Sequence, residues 1–146
     1  MKKKIYIKHK IFNHLMVNGK KETTEKHFLK SFKQLQKSLN KNVVNITKIG
    51  IINSKPIVSI NNIKTKKKKK NIKEYSIVLE FEKRLSLAIK FSLSITKNKD
   101  INLPLYNILK QELVYNSQNN SNATKKKENL QKNSLLNKKY AYYRWF

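Results

Sequence analysis

The chemistry available to this sequence is concentrated at its C-terminal end, Asn137-Lys138-Lys139-Tyr140-Ala141-Tyr142-Tyr143-Arg144-Trp145-Phe146. A guanidinium fork matches phosphate oxygens two at a time, and flat rings stack on bases or dock on another surface. Lys138, Tyr143, Arg144 and Trp145 are therefore candidate nucleic-acid contacts. The same aromatics would equally serve to cap the protein's own core. Upstream lie Lys125, Lys126 and Lys127, and further back an unbroken run, Lys66, Lys67, Lys68, Lys69 and Lys70. Five adjacent ammonium groups repel one another and call for a counter-charge.

The whole composition points the same way. Lysine and arginine number 34 against 8 aspartates and glutamates, a formal net charge of +26 over 146 residues. Such a chain repels itself unless a polyanion neutralises it, and nucleic acid is the natural one. An anionic membrane surface is the competing polyanion, but its usual mark is one strongly amphipathic basic helix. Here the charge runs along the entire chain.

Other chemistries lack their residues. Without cysteine there is no disulfide, zinc ribbon or thiol catalysis, and two glycines are too few for a glycine-rich phosphate loop. His9, His14 and His27 have no acid partner at ligand spacing, and the few acids form no carboxylate pair for acid–base work. No enzyme, metal or cofactor is expected. No run of about twenty apolar residues exists to span a membrane. The start, Met1-Lys2-Lys3-Lys4-Ile5-Tyr6-Ile7-Lys8, lacks both the apolar core of a secretion signal and the Arg/Ser character of an import presequence.

Helices must position most of these cations. Ile7, Ile11 and Leu15 recur every fourth residue with Phe12 and Met16 on the adjoining row, which predicts a helix over 5–18. Asn18-Gly19 supplies a turn where positive φ is cheap. Glu22 and Glu25 open the next helix, whose core stripe is Phe28, Phe32, Leu35 and Leu39. Pro56 suits a strand's first residue, and the alternation from Tyr75 to Phe81 predicts a return strand. Asp100 and Asn102 offer caps, Pro104 fits a first helical turn, and Leu105, Ile108, Leu109 and Leu113 form another stripe. Residues 116–124 read as a polar loop without apolar anchors. A basic amphipathic helix follows, with Glu128 near its start and Leu136 and Tyr140 sharing one side. Two segments resist periodicity: 43–52 is β-branched and broken by Gly50, and 82–96 alternates like a strand.

Four ordered motifs resemble the small-subunit ribosomal protein S-seven family. They are Leu15-Met16-Val17-Asn18-Gly19-Lys20-Lys21, Asn53-Ser54-Lys55-Pro56-Ile57-Val58, Arg84-Leu85-Ser86-Leu87-Ala88-Ile89-Lys90-Phe91, and the end of the chain. At that end ten positions match over some twenty residues without a gap: Lys126, Lys127, Glu128, Asn137, Lys138, Tyr140, Ala141, Tyr143, Arg144 and Trp145. The resemblance implies a mainly α fold, one domain over 1–146 with about six helices and a protruding basic β-hairpin. The hairpin arm would span about 56–81 and the RNA-binding C-terminal helix about 124–143. It implies helices at 43–52 and 82–96, against the alternation of the latter. The family's hairpin tip carries two glycines that this chain lacks.

The function so implied is structural: a protein of the small ribosomal subunit that binds the 3′ major domain of the ribosomal RNA and orders the head. Its neighbours would be ribosomal proteins of head and platform, with exit-site tRNA and messenger RNA close by. RNA contacts are expected at Lys8, Lys10, Lys20, Lys21, Lys55, Lys64, Lys73, Lys83, Arg84 and Lys90, besides the lysine run, Lys125 to Lys127 and the C-terminal group. A DNA- or membrane-surface-binding protein is the alternative. Departures from the family's pattern, namely a short N-terminus, a hairpin tip without glycines and a middle poor in arginine, point to an organellar ribosome. The AT-rich codon bias and the lack of a visible import signal point to a mitochondrial gene, with a plastid-type organelle or bacterial cytoplasm as alternatives.

Overall fold

The computed structural model describes residues 2–39, 42–64, 72–94, 96 and 103–138. Among the described residues, six helices and one two-stranded antiparallel sheet follow in the order α1 (Lys2–Leu15), α2 (Lys21–Leu39), α3 (Val43–Ser54), β1 (Val58–Lys64), β2 (Ile72–Val78), α4 (Phe81–Leu93), α5 (Leu105–Ser117) and α6 (Asn122–Leu136). The expected class, mainly helical with one hairpin, is the one observed.

The helical stripes become the core. Ile11, Phe12 and Leu15 of α1 are buried, and Phe12 meets Phe28 of α2 edge-on at 5.0 Å between ring centres. Each such side chain removed from water contributes about 1.5–3 kcal/mol. Asn18 and Gly19 both take positive φ, so the turn between α1 and α2 uses the two residue types that tolerate it. Met16, expected on the stripe, falls past the end of α1 and is exposed.

The two ambiguous segments are helices. In α4 the buried residues are Leu85, Ala88, Ile89, Ser92 and Leu93, spaced three and four apart. The odd-numbered alternation therefore gives way to helical spacing, because small Ala88 and Ser92 fill positions that a hydrophobicity count passes over. In α3, Asn42 caps the N-terminus through its side chain, accepting from the Val44 N–H at 3.1 Å. Gly50 is kept at its place in α3 by crowding: a Cβ there would stand 3.0 Å from Asn116 Cβ on α5.

Several boundaries shift. The return strand ends at Val78, and Glu80 and Phe81 turn into the cap and first residue of α4, so the hairpin is shorter than the alternation suggests. Pro104 precedes α5 at its cap position instead of entering its first turn. The polar stretch 116–124 is no loose loop: Asn116 and Ser117 finish α5, α6 starts at Asn122, and Asn116, Ser121 and Thr124 are buried. Glu128 consequently lies beyond the first turn of α6, where Ser121 supplies the cap. Leu135 and Leu136 are exposed. The lysine run, Asp100, Asn102 and the group from Tyr140 to Trp145 lie outside the described residues.

Candidate nucleic-acid interface

The predicted contact residues fall into four places. Lys20 and Lys21 stand exposed where the turn enters α2. Lys64 and Lys73 lie near the far end of the hairpin, in a ladder running from the Val58–Val78 pair to the Lys64–Ile72 pair. The lysines 66–70 connect these two strands in sequence. On α6, Lys125 is exposed and Lys138 follows the helix end.

The fourth place is a cleft of about 330 Å³ between α1, β1 and α4, lined by Lys10, Lys83 and Lys90 with Ser59, Ser86 and Glu82. Three cations from two helices thus share one concavity with two hydroxyls, a donor set suited to phosphate oxygens. Sequence reasoning passes over Ser59 and Ser86, because a single serine carries neither charge nor periodic signal. Lys10 meets Glu82 at 3.8 Å and Lys83 meets Glu80 at 3.4 Å, and these two are the ion pairs among the described residues. Both acids are largely exposed, so each pair is worth little and yields readily to a stronger anion.

Other predicted contact residues also make contacts within the chain. Lys55 lies 4.1 Å from the centre of the Phe81 ring and Lys8 5.4 Å from that of Phe12. The Arg84 Nε–H donates to the Leu79 carbonyl, bracing the entry to α4. Lys126 Nζ donates to Ser94 Oγ at 2.6 Å, and Lys127 Nζ to the Asn53 carbonyl at 2.8 Å. Of the triple-lysine stretch, Lys125 and Lys126 are exposed and Lys127 is half-buried, and the last two tie α6 to the end of α4 and to the end of α3.

Those ties belong to a polar joint that sets the direction of α6. The Asn116 side chain donates to Ser92 Oγ at 3.0 Å and accepts from the Ser121 hydroxyl, while the Thr124 N–H donates to Ser121 Oγ at 3.1 Å. Asn53 Nδ2 donates to the Asn116 and Ser117 carbonyls at 3.0 and 3.2 Å. Buried amides and hydroxyls stabilise such a joint only when partnered, and here they partner each other. Beside them Glu112 is buried; burial pushes its carboxyl from 4.5 up to about 7, against the opposing pull of the Ala123 backbone hydrogen bond and of Lys126.

The hairpin is fastened to the same helix. Ser134 Oγ donates to Ser76 Oγ at 2.8 Å, Ser76 Oγ to the Ser134 carbonyl at 3.2 Å, and Asn137 Nδ2 to Glu74 Oε2 at 3.0 Å. Hairpin and α6 thus form one surface, from which the lysine run and the C-terminal aromatic group continue in sequence.

A family model described as Ribosomal protein S7p/S5e matches residues 1–138 of this chain. The Small ribosomal subunit protein uS7 of Wigglesworthia glossinidia brevipalpis is 31% identical over 137 residues, covering 93% of this chain and 85% of that protein. Its counterpart of the same name from Anaeromyxobacter sp. (strain Fw109-5) is 29% identical over 138 residues, with the same coverage. A match over nearly the whole chain, on a helical fold with a hairpin and clustered cations, places the protein: it belongs to the ribosomal protein S7p/S5e family, whose members are structural parts of the ribosome and not enzymes.

Proposed function

We propose that the chain, a structural protein of the small ribosomal subunit, acts by neutralising and aligning phosphates of the 3′ major domain of small-subunit ribosomal RNA. The observation that carries this reading is the cleft where Lys10, Lys83 and Lys90 converge while the eight acids of the chain leave most cations unpaired. Counterions released from the RNA drive such binding, and RNA helices are held through their phosphates and shape. Lys20, Lys21, Lys64, Lys66 to Lys70, Lys73, Lys125 and Lys138 extend the contact set, and Tyr143, Arg144 and Trp145 add stacking and a bidentate phosphate contact. The whole of 1–146 works as one unit, its hairpin reaching toward exit-site tRNA and messenger RNA, with proteins of head and platform beside it.

The organellar setting is part of the same proposal. Its support is the Lys/Asn/Ile-rich composition, which a mitochondrial genome of high AT content would produce.

Filter binding to small-subunit RNA across a salt series tests the mechanism. Each phosphate contact contributes about 0.7–0.9 to the slope of log affinity against log salt. Replacing Lys83 and Lys90 by alanine lowers that slope by about 1.5. Replacing Lys66 to Lys70 lowers it further without loss of helix content by circular dichroism. Unchanged slopes would remove these lysines from the interface. Equal affinity for duplex DNA or anionic vesicles in competition would instead favour a general polyanion binder.

A further inference from the structure

The helices α1, α2 and α3 enclose a groove that the RNA reading leaves unused. It has a volume of about 270 Å³, a floor that includes buried Ile11 and Phe28, and walls that include Leu29 and Val44. Leu29 is 52% exposed and Val44 43%, so two helices hold aliphatic side chains out to water side by side. Past Leu29, Phe32 and Val44 the groove widens into a second cleft. Lys8 and Lys48 line the first part and Lys33 the second, and none of the lining residues is acidic. An apolar concavity rimmed by one sign of charge is a binding feature, not a folding requirement.

The lining selects the occupant. Base edges need free donors and acceptors, but in the apolar part the one hydroxyl, that of Thr47, donates to the Val44 carbonyl at 2.9 Å, and the amides of Gln36 and Asn42 lie only in the wider second cleft. The shape suits apolar side chains at helical spacing. The charge selects further: a second copy of this chain brings another +26, and residues 139–146 bring Lys139 and Arg144 without an acidic side chain.

We infer that the groove between α1, α2 and α3 receives an acidic amphipathic segment of another protein, with apolar side chains against Leu29 and Val44 and carboxylates facing Lys8, Lys33 and Lys48. Such a partner covers apolar surface and relieves positive charge together. The site is independent of the proposed phosphate cleft, which uses other residues.

The probe is a fluorescein-labelled peptide with leucine every third or fourth position and glutamate between, compared with its scrambled twin of equal composition. Fluorescence anisotropy with the full chain at near-physiological salt should show the patterned peptide binding about tenfold tighter. Val44→Asp and Leu29→Asp should each abolish that difference while the chain stays folded with only a small shift of the thermal midpoint, since both side chains are about half exposed. The chain has no cysteine, so Val44→Cys offers a single alkylation site, which the patterned peptide should shield and the twin should not. Equal binding of the twin, a difference that survives both aspartates, or shielding of Cys-substituted position 44 by small-subunit RNA instead would each overturn the inference.

Discussion

Burial makes Glu112 sensitive to pH. Because its folded-state pKa is raised from 4.5 to about 7, the folded chain keeps this proton where the unfolded chain has lost it. Its contribution is therefore most favourable below about 4.5 and declines as pH rises to about 7. Glu112→Gln removes the decline and raises stability at pH 8 by on the order of 2 kcal/mol, measured by urea unfolding at several pH values. Gly50→Ala should act in the opposite direction. The added methyl meets Asn116 Cβ at 3.0 Å, and Asn116 is fixed by partners on α3, α4 and the α6 cap. Overpacking outweighs the gain in helix propensity, and the variant loses about 1–2 kcal/mol by thermal unfolding. Lys127→Met separates structure from binding: it removes a charged hydrogen bond to the Asn53 carbonyl, costing about 1–2 kcal/mol of stability, while the salt slope for RNA hardly changes.

At the scale of elements, the fastening of the hairpin to α6 decides where the basic arm points. A double-mutant cycle of Ser76→Ala and Ser134→Ala should give a coupling of about 0.5–1 kcal/mol, read from unfolding free energies. Had the hairpin been held by its own ladder alone, the two substitutions would add. What the sequence discloses about these elements depends on how local the signal is. The stripes of α2 and α5 and the Asn18–Gly19 turn are legible because residues three and four apart report one helix face. Residues 82–96 mislead on pattern alone, since Leu87 and Phe91 complete an alternation that the fold only half buries. The resemblance to a family supplies the helix there. The polar joint was illegible for a different reason: Asn116, Ser92 and Ser121 lie 24 and 5 positions apart, and nothing about an asparagine announces a distant hydroxyl. For the same reason Lys126 and Lys127 look like the free lysines around them. Of the candidate interface, the identities of the cations were readable, but their convergence at Lys10, Lys83 and Lys90 required the packing of α1 on α4.

For the molecule as a whole, two weak ion pairs stand against a charge of +26, so cohesion among the described residues rests on apolar packing and neutral hydrogen bonds. These are little screened by dissolved ions, whereas mutual repulsion among lysines is screened strongly. The thermal midpoint of the free chain should accordingly climb as sodium chloride is raised from about 50 to 500 mM, over the range in which counterion competition weakens RNA binding. A midpoint that fell would point to ionic cohesion instead. The neutral joint around Asn116 thereby acquires a practical meaning: brine that strips the protein from its nucleic acid leaves it tighter than before, and able to rebind once the brine is diluted.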